Sequence, residues 1–98
     1  MSSIEMTGNA MTATVRCAGL DREALYAALA EALQLPDWFG ANLDALYDVL
    51  TDLEAPVRID LIDWPQAQLS ERERAGFETV FEDAADEAGP ERLSVRYC

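Results

Sequence analysis

The most informative segment of the chain reads Leu35-Pro-Asp-Trp-Phe-Gly-Ala-Asn-Leu-Asp-Ala-Leu-Tyr-Asp-Val-Leu50. Asn42 is a favoured N-cap residue, so a helix is predicted to begin directly after it. At about 100° per residue, one face of that helix carries only apolar side chains, namely Leu43, Leu46, Val49, Leu50 and Leu53. We therefore expect an amphipathic helix that follows a loop and is stopped by Pro56.

The opposite face of this predicted helix is acidic. It carries Asp44, Asp48 and Asp52, with Tyr47 at its border. Like charges four residues apart on a helix repel each other by about 0.2–0.5 kcal/mol per pair. Two interpretations stay open from the residues alone: a solvated surface of a very acidic chain, or a negative patch that binds a cationic partner.

The loop before the helix holds two consecutive aromatic residues, Trp38 and Phe39, followed by Gly40. Two large neighbouring rings cannot easily both point inward. Either both pack beneath the loop, or one stays exposed as an interface anchor, a role in which tryptophan and tyrosine are over-represented. Gly40 allows a left-handed backbone or a close approach to a neighbouring group.

Strand and helix patterns alternate in the rest of the chain. Strands are predicted over residues 11–17, 57–62 and 92–97. One further helix is predicted after the N-cap residue Asp21, and a longer one between the capping box of Ser70 and Glu73 and the stop at Gly89. The connections are long enough for parallel pairing, so we expect an α/β fold with a three-stranded parallel sheet flanked by helices. Residues 1–98 are expected to form one domain.

The composition is strongly acidic. The 98 residues include 19 acidic residues and seven arginines, without lysine or histidine, and the formal net charge is −12 at pH 7. Nucleic acids and anionic membranes are therefore not expected partners, because both need cationic side chains. The lack of histidine removes the usual general base and the commonest metal ligand.

No motif indicates an enzyme or a cofactor site. The chain has no glycine-rich phosphate loop, no Gly-x-Ser-x-Gly and no Cys-x-x-Cys. Asp44 and Asp48 are the residues that a small hydrolase would use, although catalytic carboxylate pairs usually face each other across a cleft. We expect no catalytic activity, no cofactor and no metal.

The cysteines and the N-terminal segment favour a cytoplasmic protein. Two cysteines, Cys17 and Cys98, are too few for a disulfide framework, and we expect both to be reduced. The first residues lack the features of a signal peptide, and no segment approaches the ~18 apolar residues of a membrane span.

Residues 35–50 resemble the signature of the barstar family of ribonuclease inhibitors. The matching pattern is Leu-Pro, two aromatics and Gly, then Asn-Leu-Asp-Ala, an aromatic residue and Asp. The predicted order of elements agrees with the family over nearly the whole chain. The resemblance implies a protein that blocks a cationic, secreted, barnase-like ribonuclease inside the cell that makes it, and we expect a monomer.

The resemblance also implies a partner-binding surface on the predicted helix and its preceding loop. Trp38 occupies the place of an aromatic residue that covers the enzyme's active site. Asn42, Asp44 and Asp48 match contact residues of the family, and Asp48 stands in for a substrate phosphate against the cations of the nuclease.

Four positions depart from the family pattern. Trp38 replaces a frequent tyrosine, Tyr47 a frequent tryptophan, and Leu53 an aromatic residue, while Asp83 stands at the interface edge where the family can have glutamate. These departures leave a second hypothesis open, an immunity protein of the same fold against a toxin that is not a ribonuclease. The isomer of the Ala55–Pro56 bond is also open, because the resemblance suggests a cis proline nearby whereas only about 5–6% of X–Pro bonds are cis.

Overall fold

The computed structural model describes residues 11–35, 40, 42–53 and 55–98. Within these residues, strands and helices follow the predicted α/β order, and the strand boundaries differ from the predicted ones by at most one residue. A short 3-10 helix, Trp64–Gln66, follows the second strand. The elements are β1 (Met11–Arg16), α1 (Arg22–Leu33), α2 (Leu43–Thr51), β2 (Val57–Ile62), α3 (Glu71–Ala88) and β3 (Leu93–Tyr97).

The three strands form a parallel sheet in the order β1-β2-β3, so β2 is central. Val57 of β2 pairs with Met11 of β1 on one side and with Leu93 of β3 on the other. The predicted three-stranded parallel sheet is confirmed.

The strands bury one face and expose the other. Alternate residues such as Val15, Ile59 and Leu61 are at most 2% exposed and join the core, whereas their neighbours are exposed or half-buried. Side chains of α1, α2 and α3 complete the same core, with Phe77 and Phe81 among the largest fully buried groups. The helices therefore cover a single face of the sheet.

Local side-chain bonds fix where the helices begin. The Asp21 carboxylate accepts a hydrogen bond from the backbone N–H of Ala24 at 2.9 Å. At the start of α3, the N–H of Glu73 donates to Oγ of Ser70 at 3.1 Å, and the N–H of Ser70 donates to Oε1 of Glu73 at 3.0 Å. These bonds satisfy backbone N–H groups that the first helical turn leaves unpaired, so the predicted cap at Asp21 and the predicted capping box are confirmed.

A glycine allows α2 and α3 to pack closely. A Cβ built on Gly76 of α3 would lie 2.8 Å from Cδ1 of Leu43, the first residue of α2. A larger residue at position 76 forces the Leu43 side chain or the helices to move. Gly76 thus permits the side chain of Leu43, at the N-terminal end of α2, to pack directly on α3.

The second helix ends earlier than its apolar pattern predicts. The hydroxyl of Thr51 donates to the carbonyl oxygens of Tyr47 at 2.9 Å and Asp48 at 3.2 Å, and the N–H of Asp52 bonds to Val49 three residues back. Such back-bonding and tightening are typical of a last helical turn. Asp52 is consequently the C-cap of α2, and the prediction that it continues the helical face is wrong.

Two smaller features concern the backbone and the helices. The described residues contain no cis peptide bond, so the bond between Ala55 and Pro56 is trans. None of the helices in the described part of the chain is both long and apolar enough to cross a membrane.

Candidate functional site

The start of α2 is held by Asn42. Its side-chain oxygen accepts a hydrogen bond from the N–H of Ala45 at 2.8 Å, and its own N–H donates to the carbonyl oxygen of Gly40 at 2.7 Å. A Cβ built on Gly40 would lie 3.1 Å from Nδ2 of Asn42, so the glycine permits this close approach. Asn42 is therefore the predicted N-cap, and its Nδ2 group forms no hydrogen bond with any described residue.

Asp44 and Asp48 project from the exposed side of α2. They lie one helical turn apart, a rise of about 6 Å along the axis. Neither carboxylate forms a hydrogen bond or an ion pair with any of the described residues. The predicted acidic face therefore exists over this pair, with both charges available to a partner.

The buried side of the same helix anchors these charges. Leu46 and Leu50 are at most 1% exposed, and Val49 is also buried. Tyr47 lies between the two sides, half-buried and packed against the core. The ring at position 47 thus borders the acidic surface, as its sequence position predicts.

The C-terminal end of α2 forms an open depression beside Asp48. Val49, Thr51 and Asp52 complete its lining. Thr51 was not predicted as a site residue, because it lines this depression only since α2 ends there, earlier than the apolar pattern predicts. The hydroxyl proton of Thr51 is already donated to the carbonyl oxygens one turn earlier, so its oxygen can only accept a hydrogen bond from another group.

A second depression lies at the N-terminal end of α2. It is lined by Asn42, Leu43 and Asp44 together with Arg22 and Tyr26 of α1. Arg22 also approaches Glu73 of α3, with its Nε at 3.7 Å from the carboxylate. Burial raises the pKa of Tyr26, and the hydrogen bond from Arg22 partly opposes that rise. The acidic pair of α2 is therefore bordered by one arginine.

Asp83 is exposed on α3. Gly76 of α3 approaches Leu43 of α2, and Asp83 follows Gly76 by seven residues, which returns it to within about 20° of the same angular position. Asp83 therefore lies on the side of α3 that faces towards α2. Leu53 is half-buried against the core, and its carbonyl oxygen accepts a hydrogen bond from Arg92.

Trp38 and Phe39 lie outside the described residues, so the two interpretations of this aromatic pair stay as predictions. The arrangement of Asp44 and Asp48 also bears on the hydrolase hypothesis. Both project from one exposed helix side, whereas an acid and a base for glycoside hydrolysis stand on opposite sides of a bound substrate. Among the described residues, no three acidic or cysteine side chains converge as metal ligands would.

Comparison with protein families gives a match over nearly the whole chain. The family described as Barstar (barnase inhibitor) matches residues 10–98. The chain belongs to the barstar family. No individually curated protein matches it significantly.

Membership in the barstar family confirms the resemblance first seen in residues 35–50 and extends it to every described element. Barstar proteins are inhibitors rather than enzymes, and they bind barnase-like ribonucleases. The roles of individual residues in this chain, including Trp38, Asn42, Tyr47 and Asp83, stay predictions.

Proposed function

We propose that this barstar-family protein inhibits a barnase-like ribonuclease by inserting the acidic side of α2 into the basic active-site cleft. The observation that carries the proposal is the exposure of Asp44 and Asp48 without an intramolecular partner, on a helix whose other side is fixed in the core. In this proposal Asp48 replaces a substrate phosphate, and arginines of the nuclease bind it through charge-assisted hydrogen bonds.

In this proposal the remaining predicted site residues extend the contact that this pair makes. Asn42 fixes the start of the helix, Tyr47 supplies an apolar border, and Asp83 reaches the edge of the interface from α3. Trp38 covers the mouth of the cleft in this proposal. Occlusion by a protein surface needs no chemistry from the inhibitor, which agrees with the absence of a catalytic motif in the sequence.

The overall charge supports fast complex formation. A chain of net charge −12 attracts a cationic enzyme over a distance set by the salt concentration, about 10 Å at 0.1 M. We further propose that the protein acts as a monomer in the cytoplasm of the cell that makes the nuclease, where blocking RNA cleavage protects that cell.

A nuclease inhibition assay tests the proposal. Purified protein is titrated into a barnase-like ribonuclease, with RNA cleavage and a one-to-one complex as the two readouts. A pancreatic-type ribonuclease, which is also cationic, serves as the control enzyme. Stoichiometric inhibition of the first enzyme alone supports the proposal, whereas failure to bind or inhibit several barnase-like enzymes contradicts it.

A matched pair of double variants tests the surface. Asp44→Asn with Asp48→Asn is expected to abolish stoichiometric inhibition. Glu31→Gln with Asp86→Asn removes the same charge from exposed positions on α1 and α3 and is expected to retain it. Equal losses in both variants contradict the proposed surface.

The immunity-protein hypothesis keeps the same surface and changes the target. Its support is the set of departures from the family pattern, of which Tyr47 and Leu53 are half-buried and pack against the core. Co-purification with a non-ribonuclease toxin encoded beside this chain, together with no inhibition of barnase-like enzymes, favours that alternative.

A further inference from the structure

The outward face of the sheet is a second polar surface. Parallel sheets are usually covered by helices on both faces, and their strands are then apolar throughout. Here the helices pack on one face, and the other presents Thr12, Thr14, Arg16, Arg58, Asp60 and Arg96. All of these side chains are exposed except Asp60, which is half-buried.

This outward face is cationic although the chain is acidic. Three of the seven arginines lie on it, against the single carboxylate of Asp60. Nε of Arg58 lies 3.4 Å and Nε of Arg96 lies 3.9 Å from Oδ1 of Asp60, and both arginine side chains are about half exposed. Arg16 forms no ion pair with any described residue. Two positive charges on this face are therefore unbalanced.

The register arranges the three arginines on three adjacent strands. Arg96 of β3 stands directly opposite Asp60 of β2, Arg58 precedes Asp60 by two residues, and Arg16 lies near the end of β1. Residues opposite each other on neighbouring strands are about 4.8 Å apart, and residues two positions apart along one strand are about 6.6 Å apart. Alternate carboxylates of an extended peptide repeat at the same distance, and guanidinium groups bind carboxylates through paired hydrogen bonds.

We propose that this outward face binds a short, extended, acidic segment of a partner protein other than the nuclease. Charge complementarity between the uncompensated arginines and carboxylates supplies the attraction. A depression beside Arg58, lined by Met11, Pro56 and Pro90 together with Thr12, Ser94 and Glu91, offers room for an uncharged side chain flanking the acidic residues. The proposal does not depend on the inhibitory role of α2, which lies on the other side of the sheet.

A protein segment fits this face better than RNA does. None of the outward-facing strand residues is aromatic, so bases find no ring on which to stack. A longer polyanion would also extend from the three arginines over the acidic remainder of the chain. A short acidic segment satisfies the arginines and ends before that repulsion grows.

Titration of the full-length protein with a defined peptide tests the proposal. The probe is a peptide of about ten residues that alternates glutamate and threonine, added at an ionic strength of about 0.01 M. The expected result is saturable binding, with backbone amide shifts confined to the three strands. Binding that does not saturate, or shifts that map to the helices, overturns the proposal.

A charge reversal with a matched control identifies the surface. Arg16→Glu leaves the ion pairs of Asp60 intact, so the fold is retained, and it is expected to weaken peptide binding by at least about tenfold. Arg72→Glu makes the same charge change at an exposed position of α3 and is expected to weaken it much less.

Two further outcomes decide against the proposal. One is an equal loss of binding in the Arg16 and Arg72 variants, which indicates an effect of net charge alone. The other is tighter binding of a single-stranded RNA of about ten nucleotides than of the peptide to the same strand residues.

Discussion

Replacing Asp48 by alanine separates the stability of the free protein from the binding of its partner. The carboxylate is exposed and forms no bond with the described residues, so its removal breaks no intramolecular contact. Relief of the repulsion with Asp44 contributes about 0.2–0.5 kcal/mol, and the better helix propensity of alanine contributes about 0.6 kcal/mol. We therefore expect the free energy of unfolding to rise by about 1 kcal/mol, which raises Tm by about 4–8 °C in a domain of this size.

Asp44 is expected to behave differently although it is equally exposed. It lies in the first turn of α2, where the helix dipole stabilises a negative charge by about 0.3–1 kcal/mol. Asp44→Ala loses the favourable interaction with the helix dipole, but it gains the better helix propensity of alanine and removes the repulsion with Asp48. The two effects nearly cancel, so the stability of that variant is expected to match the wild type within about 0.5 kcal/mol.

Binding to the nuclease is expected to change in the opposite direction. If Asp48 is buried against cations of the enzyme, Asp48→Ala leaves those cations unpaired and costs about 2–5 kcal/mol, mainly through faster dissociation. That range corresponds to roughly 30-fold to several thousandfold in Kd. Asp52→Ala, at the C-cap of α2, is expected to alter chiefly the association rate and its salt dependence.

Stopped-flow mixing measures the association rate, competition measures the dissociation rate, and urea unfolding measures the free energy of unfolding. Asp86→Ala is the control, because it removes one charge from an exposed helical position on α3. The reasoning is refuted if Asp48→Ala unfolds the protein or binds the nuclease as tightly as Asp86→Ala does.

Four further predictions concern the free protein. Burial raises the pKa of the Cys17 thiol from 9.0 to about 11, so the unfolded chain loses this proton at a lower pH than the folded protein does. The free energy of unfolding is therefore expected to fall by about 2 kcal/mol between about pH 9 and pH 11. Urea unfolding at the two pH values should show a smaller fall in Cys17→Ala than in the wild type. A thiol reagent is expected to modify exposed Cys98 at once and Cys17 only on unfolding. Trp64→Phe removes the 2.8 Å hydrogen bond from the indole to Glu78, and a loss of about 2 kcal/mol is expected in denaturant unfolding; an unchanged midpoint contradicts a structural role for that bond. Ser70→Ala removes the cap of α3 and is expected to cost about 1 kcal/mol by the same measurement, with less helix at its N-terminal end.

Local patterns in the sequence predict most of the fold because they have local causes. The caps at Asp21 and Ser70 act within one turn, and proline and glycine end helices by steric rules. The end of α2 is less predictable, because it depends on the side-chain rotamer of Thr51 that bonds back to Tyr47 and Asp48. The apolar repeat, which continues to Leu53, does not indicate this rotamer.

Contacts between distant segments set the limit of the sequence analysis. Arg58 and Asp60 are neighbours on any strand, but Arg96 joins them only because of the register between β2 and β3. The cation–π contact of Arg74 with Trp64, at 5.4 Å, likewise needs the tertiary fold. By contrast, the alternation of polar and apolar residues in the strands does indicate one exposed sheet face, which is unusual for parallel pairing.

The candidate binding surface depends on the core more than on its own helix. A helix of nine residues is not stable alone in water, and repulsion between Asp44 and Asp48 weakens it further. Burial of Leu46 and Leu50 and the Asn42 cap compensate for this, and they hold both carboxylates on an ordered backbone before any partner arrives. Ordering that precedes binding lowers the entropy cost of association. Leu46 is buried and is not expected to contact the nuclease. Leu46→Ala should nevertheless weaken nuclease binding, because it loosens the helix that carries the two carboxylates.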